Sequence, residues 1–218
     1  LKLEAAGLSN ELAQKVISSG GNDIATKIVR LVQNGWLEAT TSQERARKIM
    51  GKNFFGVEEA VKYFGVNPTH QQLAILSEIP FSETILKQCK NTHVLVAVFP
   101  FSILEISGKA DSKVFDNRNQ RWYSKESFAK ERGGANWQLV RKTPVDNYSA
   151  SKNWQNTEDD KVPTARVMVY AIIGHYLATG ERLLEHTFAR TSSVDSNSYN
   201  VEVGGFDSDG LSVCVCVA

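Results

Sequence analysis

The chain has 218 residues, 42% apolar and 22% charged, with 25 Lys and Arg against 24 Asp and Glu. This is ordinary globular material, enough for one large domain or two small ones, and its net charge of +1 gives no field arguing for nucleic acid or an anionic membrane as partner. The longest apolar run, Val167 to Ile173, falls far short of the roughly 20 residues a membrane-spanning helix needs, so no span is expected.

The first part of the chain, to about residue 90, reads as short helices joined by tight turns. Glu11–Ser18 is a helix stopped by Gly20-Gly21, and Asn22 can cap the next, where Ile24, Ile28, Val29, Leu31 and Val32 form an apolar stripe ending at Gly35. Thr41-Ser42-Gln43-Glu44 has capping-box spacing and opens a basic helix that runs to Gly51. Gly56 and Gly65 frame a short helix, and Asn67-Pro68-Thr69 turns the chain into another over Gln71–Ile79. Ser82–Gln88 is one more. Arg45, Arg47 and Lys48 cluster on the basic helix, either as a solvated face or as a contact for nucleic acid or a protein partner.

The pattern changes at His93. Val94–Phe99 is a β-branched apolar run and reads as a buried strand ended by Pro100; Phe101–Ile106 reads as a second strand or an extension of the first, ending at Gly108. A polar loop over Asp111–Asn119 and a short helix over Ser124–Arg132, closed by Gly133-Gly134, come next. Trp137–Val140 is a strand, and Asp146–Asp160 a polar loop. Thr164 caps a helix over Ala165–Thr179 that is apolar nearly all round and so belongs in the centre of the protein, with His175 as a core histidine and Gly180 as its stop.

From Thr187 to Ala218 the chain has strand patterning throughout. Tyr199, Val201 and Val203 share one parity, as do Leu211, Val213, Val215 and Val217, whereas Asn200, Glu202, Ser212, Cys214 and Cys216 take the other. Alternate residues of a strand point to opposite faces. One face is therefore aimed at a core and the other carries small polar groups. Gly204-Gly205 and Asp207–Gly210 are turn material that lets these strands pair as a hairpin. With Asp195, Ser196, Asn197 and Ser198 in the preceding loop, the outer face is an adaptable hydrogen-bonding surface of the kind recognition sites use.

Thr191–Val213 (TSSVDSNSYNVEVGGFDSDGLSV) resembles the closing part of bacterial C-type-lectin-fold domains: a Ser/Thr-rich opening, Tyr/Asn-rich strands, a turn and a further alternating strand. The Ser124–Arg132 helix and the Trp137–Pro144 segment are similar to that family's helix and following strand. The resemblance covers about residues 93–218. More narrowly, the tail resembles the variable proteins of diversity-generating retroelements, in which adenine-directed mutation scatters asparagine codons to Ser, Asp, Tyr, Cys and Gly at solvent-facing positions. The whole chain is similar to uncharacterised proteins of uncultured environmental bacteria. The resemblance implies an α+β protein: a helical region over 1–90, then a lectin-like domain over 91–218 with a small antiparallel sheet and two helices. It implies binding of a protein or cell-surface ligand without catalysis or cofactor. The recognition residues would be Arg190, Ser192, Asp195, Ser196, Asn197, Ser198, Asn200, Glu202, Asp207, Asp209, Ser212, Cys214 and Cys216. Two departures stand out: Phe188-Ala189-Arg190 precedes Thr191-Ser192-Ser193 where the family usually has an aromatic, and the family's Arg-containing closing strand does not follow, so the domain is expected to be truncated at Ala218.

Chemistry is sparse. Cys89, Cys214 and Cys216 make an odd count without framework spacing, and residues two apart in a strand sit near the ~6.8 Å Cα limit for a disulfide. Formylglycine-generating enzymes share the lectin fold and use paired cysteines, a role Cys214 and Cys216 could take, but nothing beside them in the sequence supplies an acid or base. Asp195, Asp207 and Asp209 offer hard oxygens for calcium without a dense ligand set. His70, His93, His175 and His186 have no metal-pair spacing, and no phosphate loop or nucleophile elbow occurs. The competing expectation is an interaction protein that binds nucleic acid or a partner through its N-terminal helices.

Overall fold

A computed structural model describes Gln14 and residues 41–110, 114–116, 122–144 and 162–215. The expected helix over 22–35, the loop over 146–160, Cys216 and, Gln14 excepted, the expected helix over 11–18 lie outside these residues. The chain divides into two units, 1–39 and 40–218.

The second unit begins with α1 (Thr41–Met50), β1 (Phe54–Phe55), α2 (Val57–Phe64), α3 (His70–Leu76) and α4 (Glu83–Cys89). Side chains start these helices where the sequence offers them. Thr69 Oγ1 accepts from Gln72 N, Ser82 Oγ from Ile85 N, and the Glu59 carboxylate from Gly56 N at 2.8 Å. In the basic cluster of α1, Arg47 is bound by Glu59 and Glu58, while Arg45 and Lys48 remain exposed.

Then come β2 (His93–Val98), α5 (Ile103–Lys109), a 3-10 turn (Trp122–Lys125), α6 (Ser127–Lys130) and β3 (Asn136–Arg141). The expected strand over Phe101–Ile106 is a helix instead. Ser102 Oγ accepts from Glu105 N and the Glu105 carboxylate accepts from Ser102 N, a reciprocal cap that outweighs the β-branched composition. The helix expected over Ser124–Arg132 is broken at Glu126 into the 3-10 turn and α6. The described residues after position 91 thus hold one α-helix more than the two expected. β1 pairs parallel with β2, and β2 antiparallel with β3, so residues on both sides of position 90 share one sheet.

The long helix α7 (Ala165–Thr179) is the centre of the unit. It packs on β1, β2 and β3 of the first sheet and on β4 (Phe188–Val194) and β5 (Asn200–Asp207) of a second sheet, β4-β5-β6, completed by β6 (Gly210–Val215). Every residue from Ala165 to His175 is buried, as expected for a helix apolar on all sides. Tyr170 packs against Phe55 and Phe64, and Tyr176 against Phe206 of β5, with ring centroids 6.1, 4.7 and 4.9 Å apart. Thr164 Oγ1 accepts from Val167 N, and Gly180, at φ 75°, ends the helix in the left-handed region. The protein is therefore α+β, with a small antiparallel sheet at its C-terminal end. No described helix is long and apolar enough to cross a membrane.

Candidate ligand-binding face

In the C-terminal sheet the alternation read from the sequence becomes two faces. Val201, Val203, Leu211 and Val213 are buried toward the core. On the opposite face the register sets Arg190 against Glu202 and Glu202 against Cys214, one cross-strand row of three half-buried side chains. Phe188, Gly204 and Ser212 form the next row. Gly204 holds the strands together here, because a Cβ in its place would run into the Thr187 carbonyl oxygen and the Phe188 backbone.

Polar contacts order this face. With its amide oriented by its hydrogen bonds, Asn200 Oδ1 accepts from Arg190 Nε at 2.7 Å and Nη2 at 2.8 Å, which lays the guanidinium along the sheet. Neither Arg190 nor Glu202 has an ion-pair partner among the described residues, although they face each other across the strands. Ser212 Oγ donates to Asp116 Oδ2 at 2.9 Å, and Trp122 Nε1 to the Val213 carbonyl at 2.8 Å, so the segment before α6 closes the β6 edge. Phe188, Val194 and Tyr199 are three of the five large apolar side chains exposed on the described surface, and all border this sheet.

The remaining site residues divide by role. Asp195 is buried, and its Oδ1 accepts from Asn197 N and Tyr199 N, so its carboxylate makes the turn into β5 rather than a display position. That turn also leaves Tyr199 41% exposed, not inward with Val201 and Val203 as its parity suggested. Ser196 binds the Glu126 carboxylate through both N and Oγ, at 2.8 and 3.1 Å, while Asn197 and Ser198 are exposed. Asp207 Oδ1 accepts from Asp209 N in the β5–β6 turn. Ser192 is exposed, its N–H donating to Pro163 O. Its neighbours are structural: Thr191 Oγ1 donates to Val201 O, and Ser193 Oγ accepts from Ala165 N at the start of α7.

Asp195 lies before β5 and Asp207 at its end, on the order of 20 Å apart along the strand. They cannot share one cation. No cluster of three or more His, Cys, Asp or Glu suited to a metal occurs among the described residues. Sequence reasoning missed Asp116, Trp122 and Glu126, whose partners lie 70 to 96 positions away. No family model matches the chain, and neither a curated protein nor a solved structure matches it.

Proposed function

We propose that this chain is a non-enzymatic binding protein whose recognition surface is the outer face of β4–β6, carried on a C-type-lectin-like domain and diversified by a retroelement. The observation that carries the reading is the separation of roles within single strands. Val201, Val203, Leu211 and Val213 close the core, while Arg190, Asn200, Glu202, Ser212 and Cys214 face outward. Side chains on such a face can be exchanged without opening the core, and a rigid sheet holds whatever replaces them in place. Arg190 and Glu202, neither of them ion-paired among the described residues and both bordered by exposed Phe188 and Tyr199, give the face the mixed aromatic and ionic character of protein-binding surfaces.

Sequencing the gene across a population of close relatives tests this. The proposal requires variation concentrated at codons 190, 200, 202, 212 and 214 with codons 201, 203, 211 and 213 nearly constant. Variation spread evenly over the chain refutes it.

A further inference from the structure

Away from the sheet face, a cleft of about 380 Å³ opens between α1, the turn after it, α2 and the last turn of α7. That volume lies within the range of small-molecule sites. Its apolar surface comes from the half-buried Tyr63 ring and from Ala178, while the Phe54 ring lies beneath the Arg47 guanidinium, which stands 4.6 Å from the ring centroid; Lys52 and Lys62 stand around the opening.

The charges in the wall are not matched one to one. Both carboxylates are engaged: Glu59 by Arg47 and Gly56 N, and Glu58 by Arg47 Nη2 at 2.9 Å. The cations are not exhausted. Lys62 has no carboxylate partner among the described residues; its Nζ stands 4.8 Å from the centroid of the Tyr63 ring. Lys52 gives one of its three N–H groups to Glu181 at 2.6 Å. Glu181 is in turn held by Lys142 at 3.0 Å, so the Lys52 side chain is anchored from behind. The Thr179 hydroxyl is committed, donating to His175 O and accepting from Glu181 N. The cleft thus holds donors of Lys62 and Lys52 that are not used up, beside one exposed carboxylate, Glu58, that Arg47 engages, with the half-buried Tyr63 ring in its wall.

We propose that this cleft is a binding site for a small organic anion with an apolar or aromatic body, its charge meeting Lys62 and Lys52 and its body lying on Tyr63. The site is independent of the sheet face, which shares no residue with it. The test is a fluorescence titration of the full chain with anilinonaphthalene sulfonate. The proposal predicts saturable binding of one dye per chain, displaced by benzoate but not by benzylamine, a molecule of the same shape and opposite charge. Lys62→Glu, at an exposed position, should weaken dye binding roughly threefold or more with an unchanged melting temperature. Arg190→Ala, on the sheet face, should leave it unaltered. Absence of saturable binding, equal displacement by benzylamine, or loss of binding in Arg190→Ala but not in Lys62→Glu overturns the proposal.

Discussion

Val203 and Glu202 are neighbours in β5 that point to opposite faces, and truncating each to alanine separates core from display. Val203 is fully closed from solvent, paired with Ala189 on one side and Val213 on the other. Val203→Ala removes two methyl groups, worth roughly 1.5 kcal/mol of transfer free energy, and leaves a cavity that tight neighbours fill only in part. The expected loss is roughly 2–3 kcal/mol, or roughly 4–12 °C in melting temperature for a domain of this size. Glu202 is half-buried with no ion pair among the described residues, so Glu202→Ala should change stability by less than about 0.5 kcal/mol. Urea denaturation followed by tryptophan fluorescence reads both, since Trp122 is bonded to Val213 of the adjoining strand. Equal losses for the two variants refute the division of the sheet into a structural and a free face.

The same logic applies to the Ser/Thr opening of β4: Ser193→Ala leaves the buried Ala165 N–H without its acceptor and should cost about 1–3 kcal/mol in the same urea assay, whereas Ser192→Ala at the exposed neighbour should be near neutral. Gly204→Ala forces a methyl onto the Thr187 carbonyl and should lower stability by at least about 2 kcal/mol or prevent cooperative melting, as calorimetry would show. Acid should also weaken the fold. Burial holds the His175 imidazole below its ordinary pKa of 6.5, against the pull of Glu181, so its contribution is complete above that value and is lost as pH falls below it. Lys52, with Lys142 assisting, draws Glu181 down to about 2 against its own desolvation, so that contribution fades only as pH falls from about 4.5 toward 2. His175→Gln should flatten the fall in melting temperature that sets in below about pH 6.5 and leave the fall below about pH 4.5 in place.

What could be read from the sequence was local. The two-residue period of Val201, Val203, Leu211 and Val213 gave the buried face of β5 and β6, and the all-round apolarity of Ala165–Thr179 placed α7 at the centre, because both signals lie within one element. Composition misled at Phe101–Ile106: its apolar and β-branched residues suggested a strand or strand extension, while the Ser102–Glu105 spacing held the signal of the helix over Ile103–Lys109. Tyr199 shares the parity of the core residues, yet the Asp195 turn keeps it outside the strand and exposed. The pairing of Phe54-Phe55 with Leu95-Val96, and the closing of the C-terminal sheet by Asp116, Trp122 and Glu126, depend on residues far apart in the chain. No periodicity reports such contacts. Arg190 and Glu202 face each other without pairing, a feature visible only once the register is known.

The DNA that flanks the gene offers the most direct test of a diversified face. Retroelement diversification predicts a near-copy of codons 190–218 that differs from the gene only where the copy has adenine, together with a neighbouring reverse-transcriptase gene. Flanking sequence with no such copy, or a copy whose differences fall at all four bases and on the codons for Val201, Val203, Leu211 and Val213, would contradict the reading of this face as a diversified recognition surface.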